Sequence, residues 1–153
     1  TSHGVIQDVP VLAAVDRLVA DRHRHRVGRV GGRGDGDRFA VCRLAPDAPL
    51  ALWMDEGVVS SLSRTAAELS VVCAEASVPE GVRVEAGWRA LALRGPIDFA
   101  LTGVLVRILQ PLAEADVGIF ALSTYDTDLV LVKEVQLADA VAALRDAGLD
   151  VVG

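Results

Sequence analysis

The 153-residue sequence has few aromatic residues, one lysine, no asparagine and only two cysteines. Two cysteines cannot build a disulfide framework, and alone they cannot complete a four-ligand zinc site. Aromatic residues make up 4% of the chain and apolar residues 52%, so the core must be built from valine, leucine, isoleucine and alanine. We expect Cys42 and Cys73, which each lie in an apolar strand-like run, to be buried free thiols.

The sequence also lacks a long uninterrupted apolar segment. The best candidate, residues 99–115, is interrupted by Arg107, Gln110, Pro111 and Glu114, and it falls short of the ~18 apolar residues that a membrane helix needs. The N-terminus lacks the basic-then-apolar pattern of a signal peptide. We therefore expect a soluble, cytoplasmic protein with no membrane partner.

Charge is distributed unevenly along the chain. Residues 1–38 hold seven arginines and five aspartates, a net charge of +2, whereas the remainder holds eight basic and sixteen acidic residues, a net charge of −8. An acidic body argues against nucleic acid as a partner, because phosphate binding needs clustered cations. Residues 1–37 are rich in arginine and glycine and are predicted to form a flexible tether outside the fold. Nucleic-acid binding by this tether is kept as an alternative function of the protein.

Histidine is missing from the part of the chain that is predicted to fold. His3, His23 and His25 all lie in the tether. The commonest general base is therefore unavailable, and the serines in the middle of the chain have no histidine partner for a catalytic triad. Two alternatives stay open: weak metal binding by His23 and His25, against their interpretation as part of a solvated basic stretch, and an enzyme that uses only carboxylates, although no two carboxylates pair convincingly. We predict no catalytic residue, no metal site and no cofactor, and no enzymatic activity.

The pattern from residue 38 to residue 86 predicts short strands without long helices. Strand-like runs separated by proline- and glycine-containing turns occupy Phe39–Leu44, Val58–Thr65, Leu69–Cys73 and Val82–Glu85. We interpret this region as a reduced copy of the unit that follows it.

The secondary-structure signals strengthen after Trp88, which opens a predicted strand. Apolar residues recur with helical spacing from Leu101 to Leu112, with Asp98 as the expected N-cap and Pro111 expected to kink or shorten the last turn. Two further strands, a second helix that stops at Gly148 and a short last strand follow. This βαββαβ order predicts an α+β, ferredoxin-like unit with both helices on one face of an antiparallel sheet.

The segment from Gly118 to Glu134 contains the run Ser-Thr-Tyr-Asp-Thr-Asp-Leu-Val-Leu-Val-Lys-Glu, which begins at Ser123. Here the chain resembles the ACT-domain family, in particular small bacterial ACT proteins akin to the arginine-sensing CASTOR regulators and to aspartokinase regulatory domains. Gly95-Pro-Ile-Asp-Phe and Trp88-Arg-Ala-Leu support the match, which covers residues 38–153. The resemblance implies βαββαβ units that bind amino acids and often pair into dimers.

By resemblance, the ligand lies where the strand-to-helix loop of one unit meets the start of the second strand of a paired unit. The corresponding ligand-binding residues are Ile97, Asp98, Gly118, Ile119, Thr124, Tyr125 and Asp128. Free amides at a helix start can bind the ligand's carboxylate, and a carboxylate such as Asp128 can bind its ammonium group. In a structural interpretation, Asp98 is only a helix cap and Tyr125 and Asp128 are only hairpin-turn residues.

We therefore predict a flexible tether (residues 1–37), a reduced ACT-like unit (residues 38–86) and a complete ACT domain (residues 87–153). The predicted function is regulation through binding of a small-molecule amino-acid ligand, without catalysis, by a homodimer. The alternative is a structural dimerisation module whose binding site is vestigial.

Overall fold

The computed structural model describes residues 26–29, 37–93 and 103–152. These ranges contain eight strands, β1 (Arg26–Arg29), β2 (Phe39–Leu44), β3 (Ser61–Arg64), β4 (Leu69–Ala74), β5 (Arg83–Leu93), β6 (Ile119–Ser123), β7 (Asp128–Lys133) and β8 (Asp150–Val152). They also contain two α-helices, α1 (Val104–Glu114) and α2 (Leu137–Asp146), and short 3-10 helices at Leu52–Asp55, Glu75–Ser77 and Glu134–Gln136. Among these elements, no helix is long and apolar enough to cross a membrane.

The first half of the fold, here called the reduced unit, consists of β2, β3, β4 and the beginning of β5. Its strands lie in the order β3-β4-β2-β5, and every neighbouring pair is antiparallel. Strand β3, the second strand of the unit, lies at the edge, and β2, the first strand, lies beside β5, the last. This is the strand order of a ferredoxin-like unit. The long helices are replaced by connections that carry only the first two 3-10 helices. The region thus has a ferredoxin-like strand order without long helices, and its assignment as a reduced ACT-like unit over residues 38–86 stays a prediction.

Strand β5 is shared between the two halves of the fold. Arg83 to Glu85 and Trp88 pair with β2, and Trp88 to Ala92 pair with β7, so Trp88 pairs with both strands. Gly87 lies at an irregularity in the pairing of β2 with β5 and has a φ of 79°, which residues with a side chain rarely adopt. The two short strands expected here are therefore one continuous strand, and the boundary between residues 86 and 87 stays a prediction.

The second half, here called the complete unit, follows the predicted order of β5, α1, β6, β7, α2 and β8. Strand β7 lies between β5 and β6 and is antiparallel to both. Helix α2 ends before Gly148, whose φ is 87°, as the sequence predicts. Both helices contribute to a single core on one face of the sheet, so the predicted α+β, ferredoxin-like class is confirmed.

Two details of helix α1 differ from the prediction. The helix begins at Val104 after Gly103, which has a φ of 77°, so the expected N-cap Asp98 was wrong; that residue lies outside the described residues. Helix α1 also continues through Pro111 to Glu114. Proline prevents only one backbone hydrogen bond within a helix, and packing of neighbouring residues can compensate for its loss.

Strand β1 corrects the prediction that residues 1–37 contribute nothing to the fold. Arg26–Arg29 lie between β5 and β8, antiparallel to the first and parallel to the second. Val27 pairs with Leu93 on one side and Val151 on the other, and its side chain is 0% exposed. The prediction was wrong for these four residues, and residues 1–25 and 30–36 lie outside the described residues.

Three groups of buried residues form the core of the described chain. The first lies between the complete unit's sheet and its helices and contains Leu91, Ile108, Leu112, Val132 and Leu144. The second lies in the reduced unit and contains Ala40, Cys42, Met54, Leu69, Val71 and Cys73. The third, called the junction core below, contains Phe39 and Val72 from the reduced unit and Ala90 and Leu131 from the complete unit. Packing in this third group joins the two halves.

Cys42 and Cys73 are buried free thiols, as predicted. Burial raises the pKa of the Cys42 thiol to about 12, and the neighbouring Cys73 adds to this shift. With this pKa, only about one in ten thousand Cys42 side chains is ionised at pH 8. Cys42 is therefore unreactive, because the thiolate is the reactive form of a cysteine.

We expect neither cysteine to react with Ellman's reagent in the native chain at pH 8, and both to react at once in guanidinium chloride. Burial of both side chains slows attack on the reagent, and the raised pKa of Cys42 slows it further at that residue. The measurement is the absorbance of the released thionitrobenzoate against time. Rapid release of one equivalent from the native chain would contradict the burial of these side chains.

Candidate functional site

The hairpin between β6 and β7 holds three of the predicted ligand-binding residues. Ser123 and Asp128 face each other across the hairpin, and the Ser123 hydroxyl donates a 2.6 Å hydrogen bond to Asp128 Oδ1. The Thr124 backbone N–H donates to the Thr127 carbonyl at 2.8 Å, and the Thr124 hydroxyl donates to the same carbonyl at 3.1 Å. Tyr125, at the tip, is 80% exposed. The hydrogen bonds fix the turn and orient the Asp128 carboxylate, while the tyrosine ring faces solvent.

The start of β6 holds two more of the predicted residues, Gly118 and Ile119. The Gly118 N–H donates to Gln136 Oε1 at 3.2 Å, and Gln136 Nε2 donates to the Asp116 carbonyl at 3.2 Å. Asp116 has a φ of 58°, an uncommon conformation for a residue with a side chain. The Gln136 amide therefore stabilises this connection and occupies the Gly118 donor, while the Ile119 side chain is exposed.

These two groups of residues lie at opposite ends of β6. Ile119 pairs with Val132, whereas Ser123 pairs with Asp128. Four residue steps along a strand span about 13 Å, so one amino-acid-sized ligand cannot contact both ends within a single chain. The prediction that all of them form one site therefore requires residues from a paired unit.

The register of β5 indicates where the strand-to-helix connection begins. Ala92, near the end of β5, pairs with Leu129, near the start of β7. Strand β5 therefore ends at the same end of the sheet as the hairpin that contains Thr124 and Asp128. The predicted residues Ile97 and Asp98 belong to this connection and lie outside the described residues. The connection thus starts near the hairpin and far from Gly118.

A cluster of charges joins the two units and was not found by sequence reasoning. Glu134, at the end of β7, forms ion pairs with Arg38 at 2.8 Å and with Arg89 at 3.4 Å. The Arg89 side chain is mostly buried, which reduces the screening of this pair by water and salt. The partners are distant in the sequence, so no motif or local spacing could have indicated the cluster.

Trp88 also lies at the junction, where it packs against the junction core. Its ring makes an edge contact with Phe120 at 6.3 Å between centroids, and the Lys133 ammonium lies 4.6 Å above it. Lys133 also forms an ion pair with Glu85 at 3.2 Å. These contacts assign Trp88 a packing role on the face of the sheet opposite α1 and α2.

The described part of the chain contains no group of three histidine, cysteine, aspartate or glutamate side chains placed to hold a metal ion. The polar groups of the hairpin instead offer a carboxylate, hydroxyls and backbone amides. Such groups bind the charged ends of small organic molecules through charge-assisted hydrogen bonds.

Two family models match the chain. The model of the ACT domain matches residues 83–146, and a second model, of an N-terminal domain, matches residues 37–81. The first match contains all seven predicted ligand-binding residues. No curated protein matches the chain.

Solved structures similar to the chain extend over most of its length. A protein from Agobacterium tumefaciens is 30% identical, with a TM-score of 0.77, and the match covers 86% of this chain and 94% of that one. A Vibrio cholerae protein of unknown function, described as a possible transport protein, is 14% identical over 81% of this chain and 90% of that one, with a TM-score of 0.62. The ligand-free regulatory subunit of aspartate kinase from Thermus thermophilus is 12% identical over 74% of this chain and 94% of that one, with a TM-score of 0.53. The similarities to the Vibrio cholerae protein and to the Thermus thermophilus subunit are evidence of a shared fold.

Proposed function

The chain belongs to the ACT-domain family, and from this premise we propose that it is a regulatory protein that binds a free amino acid and has no catalytic activity of its own. The observation that carries the proposal is the ACT-domain match over residues 83–146, which contains the polar hairpin. The fold shared with an aspartate kinase regulatory subunit supports a regulatory role.

We assign recognition of the ligand's ammonium group to Asp128. Its Oδ1 accepts the Ser123 hydroxyl, and this bond leaves Oδ2 for an ammonium donor. A hydrogen bond between two charged groups is roughly twice as strong as one between neutral groups. Thr124 and Tyr125 lie in the same hairpin turn and complete this part of the proposed site.

The remaining contacts are proposed to come from a second copy of the chain. Gly118 and Ile119 lie too far from Asp128 to share its ligand within one chain, and among the described strands β6 pairs only with β7. An unpaired strand edge can accept another chain. In a homodimer, the start of β6 from one copy would meet the connection containing Ile97 and Asp98 from its partner.

The second candidate function is a dimerisation module with a vestigial site. One observation favours it: the Gly118 N–H, which a ligand would need, already donates to Gln136. A ligand at this end of β6 would have to displace the Gln136 amide or bind beside it.

A thermal-shift screen of the twenty common amino acids tests the proposal. A ligand present at a hundred times its Kd stabilises its protein by about 2.7 kcal/mol, which corresponds to a rise in Tm of roughly 5–10 °C for a chain of this size. We expect one or a few amino acids to produce such a rise and Asp128→Asn to abolish it. Asparagine still accepts the Ser123 hydroxyl but lacks the charge that binds the ammonium group.

The control variant is Asp47→Asn, which removes the same charge from an exposed turn in the reduced unit. It should respond to the ligand as the unmodified chain does. Absence of a response to every amino acid would favour the dimerisation module, whereas an equal response in Asp128→Asn would remove Asp128 from the site.

A further inference from the structure

Arg38 and Glu75 are oppositely charged neighbours that do not pair with each other. The Glu75 N–H donates to the Arg38 carbonyl at 3.0 Å, which continues the ladder of β2 and β4 beyond their last strand pair. Side chains at such opposed positions start about 5 Å apart. Among the ion pairs of the described residues, however, Arg38 Nε binds Glu134 Oε2 at 2.8 Å, and none joins Arg38 to Glu75.

The Glu75 carboxylate and the Arg38 guanidinium each bind a different group. Glu75 Oε2 accepts the N–H of Gly87 at 3.0 Å, and Arg38 forms an ion pair with Glu134. In the described part of the chain, Glu75 Oε1 and the two terminal nitrogens of Arg38 have no partner. A guanidinium has five N–H donors, so one bond through Nε leaves four.

Arg38 and Glu75 line a cleft of about 420 Å³ at one end of the reduced unit's sheet. Its other walls include Val58, Ala74 and Ala76, and Val58 is 62% exposed. Clefts of roughly 300–1,000 Å³ with mainly apolar walls and a few converging polar groups are typical of small-molecule sites. This cleft combines one cation, Arg38, two carboxylates, Glu75 and Asp37, and an apolar wall.

We propose that the cleft is a second ligand site, which binds an α-amino acid with an apolar side chain. Glu75 Oε1 accepts hydrogen bonds from the ammonium group, the terminal nitrogens of Arg38 donate to the carboxylate, and the side chain packs against Val58 and Ala76. The cleft lies in the reduced unit and shares no residue with the site around Asp128, so it does not depend on that site. Through Glu134, Arg38 also connects it to the ACT domain.

The test is a titration of the full ¹⁵N-labelled chain with L-leucine and with L-methionine, followed by NMR. We expect saturable changes in the backbone amide resonances of Gly57, Val58 and Ala76. In Glu75→Gln, which still accepts the Gly87 N–H, the Kd should rise about tenfold or more because a charge-assisted bond is lost. The matched control, Glu80→Gln, removes the same charge from an exposed turn outside the cleft and should leave the Kd unchanged.

Ala76→Trp gives an independent test, because this exposed position can carry a large side chain that blocks the cleft. It should abolish the changes even if Glu75→Gln fails to fold. Asp128→Asn should leave them intact. Absence of saturable changes at the cleft with both probes, or an unchanged Kd in a folded Glu75→Gln, would overturn the proposal. Changes confined to residues 123–128 would overturn it while supporting the ACT-domain site.

Discussion

Replacing Val27 by aspartate is expected to destabilise the folded chain by about 4 kcal/mol or more, because it places an unpaired charge inside the core. Val27 is 0% exposed, is paired on both sides by backbone ladders and lies in the core of the complete unit. In a chain of this size, the loss corresponds to a fall in Tm of roughly 10 °C or more. Thermal or urea unfolding followed by circular dichroism measures it.

The matched control is Val135→Asp, which makes the same substitution at a side chain that is 90% exposed. It should change the free energy of unfolding by no more than about 0.5 kcal/mol. If Val27→Asp were as stable as Val135→Asp, then β1 would not form part of the sheet, and the original placement of residues 26–29 in a flexible tether would be right.

Leu131→Ala is expected to cost about 3 kcal/mol, within the usual range for removing a buried leucine and leaving a cavity. Leu131 is 0% exposed in the junction core, where it packs with Phe39 and Val72 of the reduced unit. Because this core joins both units, the variant should still unfold in one transition, at a lower urea concentration.

Leu52→Ala provides the comparison, since Leu52 is 91% exposed on a 3-10 helix. We expect its urea midpoint to stay close to that of the unmodified chain. Two separate transitions already in the unmodified chain, one for each unit, would show that the units fold independently and that the junction core does not couple them.

The parts of the fold predicted from the sequence are those with a local periodic signal. The apolar stripe that includes Ile108 and Leu112 located α1, and Gly148 located the end of α2. The split of β5 into two strands failed because Gly87 looks like a break in the sequence. In the structure, β5 continues through Gly87, where its pairing with β2 is irregular.

No local sequence pattern indicated strand β1 or the charge cluster of Arg38, Arg89 and Glu134. Arg26–Arg29 contain one apolar residue, and their place in the sheet depends on backbone hydrogen bonds to β5 and β8, which any sequence can make. The pairing of Arg38 with Glu134 and the contact of Gln136 with Gly118 join residues that only the fold brings together.

The candidate site was predicted in part. The Ser123–Asp128 pair lies on the hairpin that carried the family resemblance, so a local motif was enough to find it. The separation of Gly118 and Ile119 from Asp128 follows from strand register, which no motif encodes. As ligand contacts, all seven residues stay predictions, and Ile97 and Asp98 also lie outside the described residues.

Binding at the ACT domain is tested most directly by isothermal titration calorimetry combined with NMR of the ¹⁵N-labelled full chain. The titrant is the amino acid that gives the largest thermal shift. The account predicts saturable heat and matching changes in the amide resonances of Ser123, Thr124, Tyr125 and Asp128, both lost in Asp128→Asn and kept in Asp47→Asn. Saturable heat with no change at the hairpin, or no heat with any of the twenty amino acids, would contradict it.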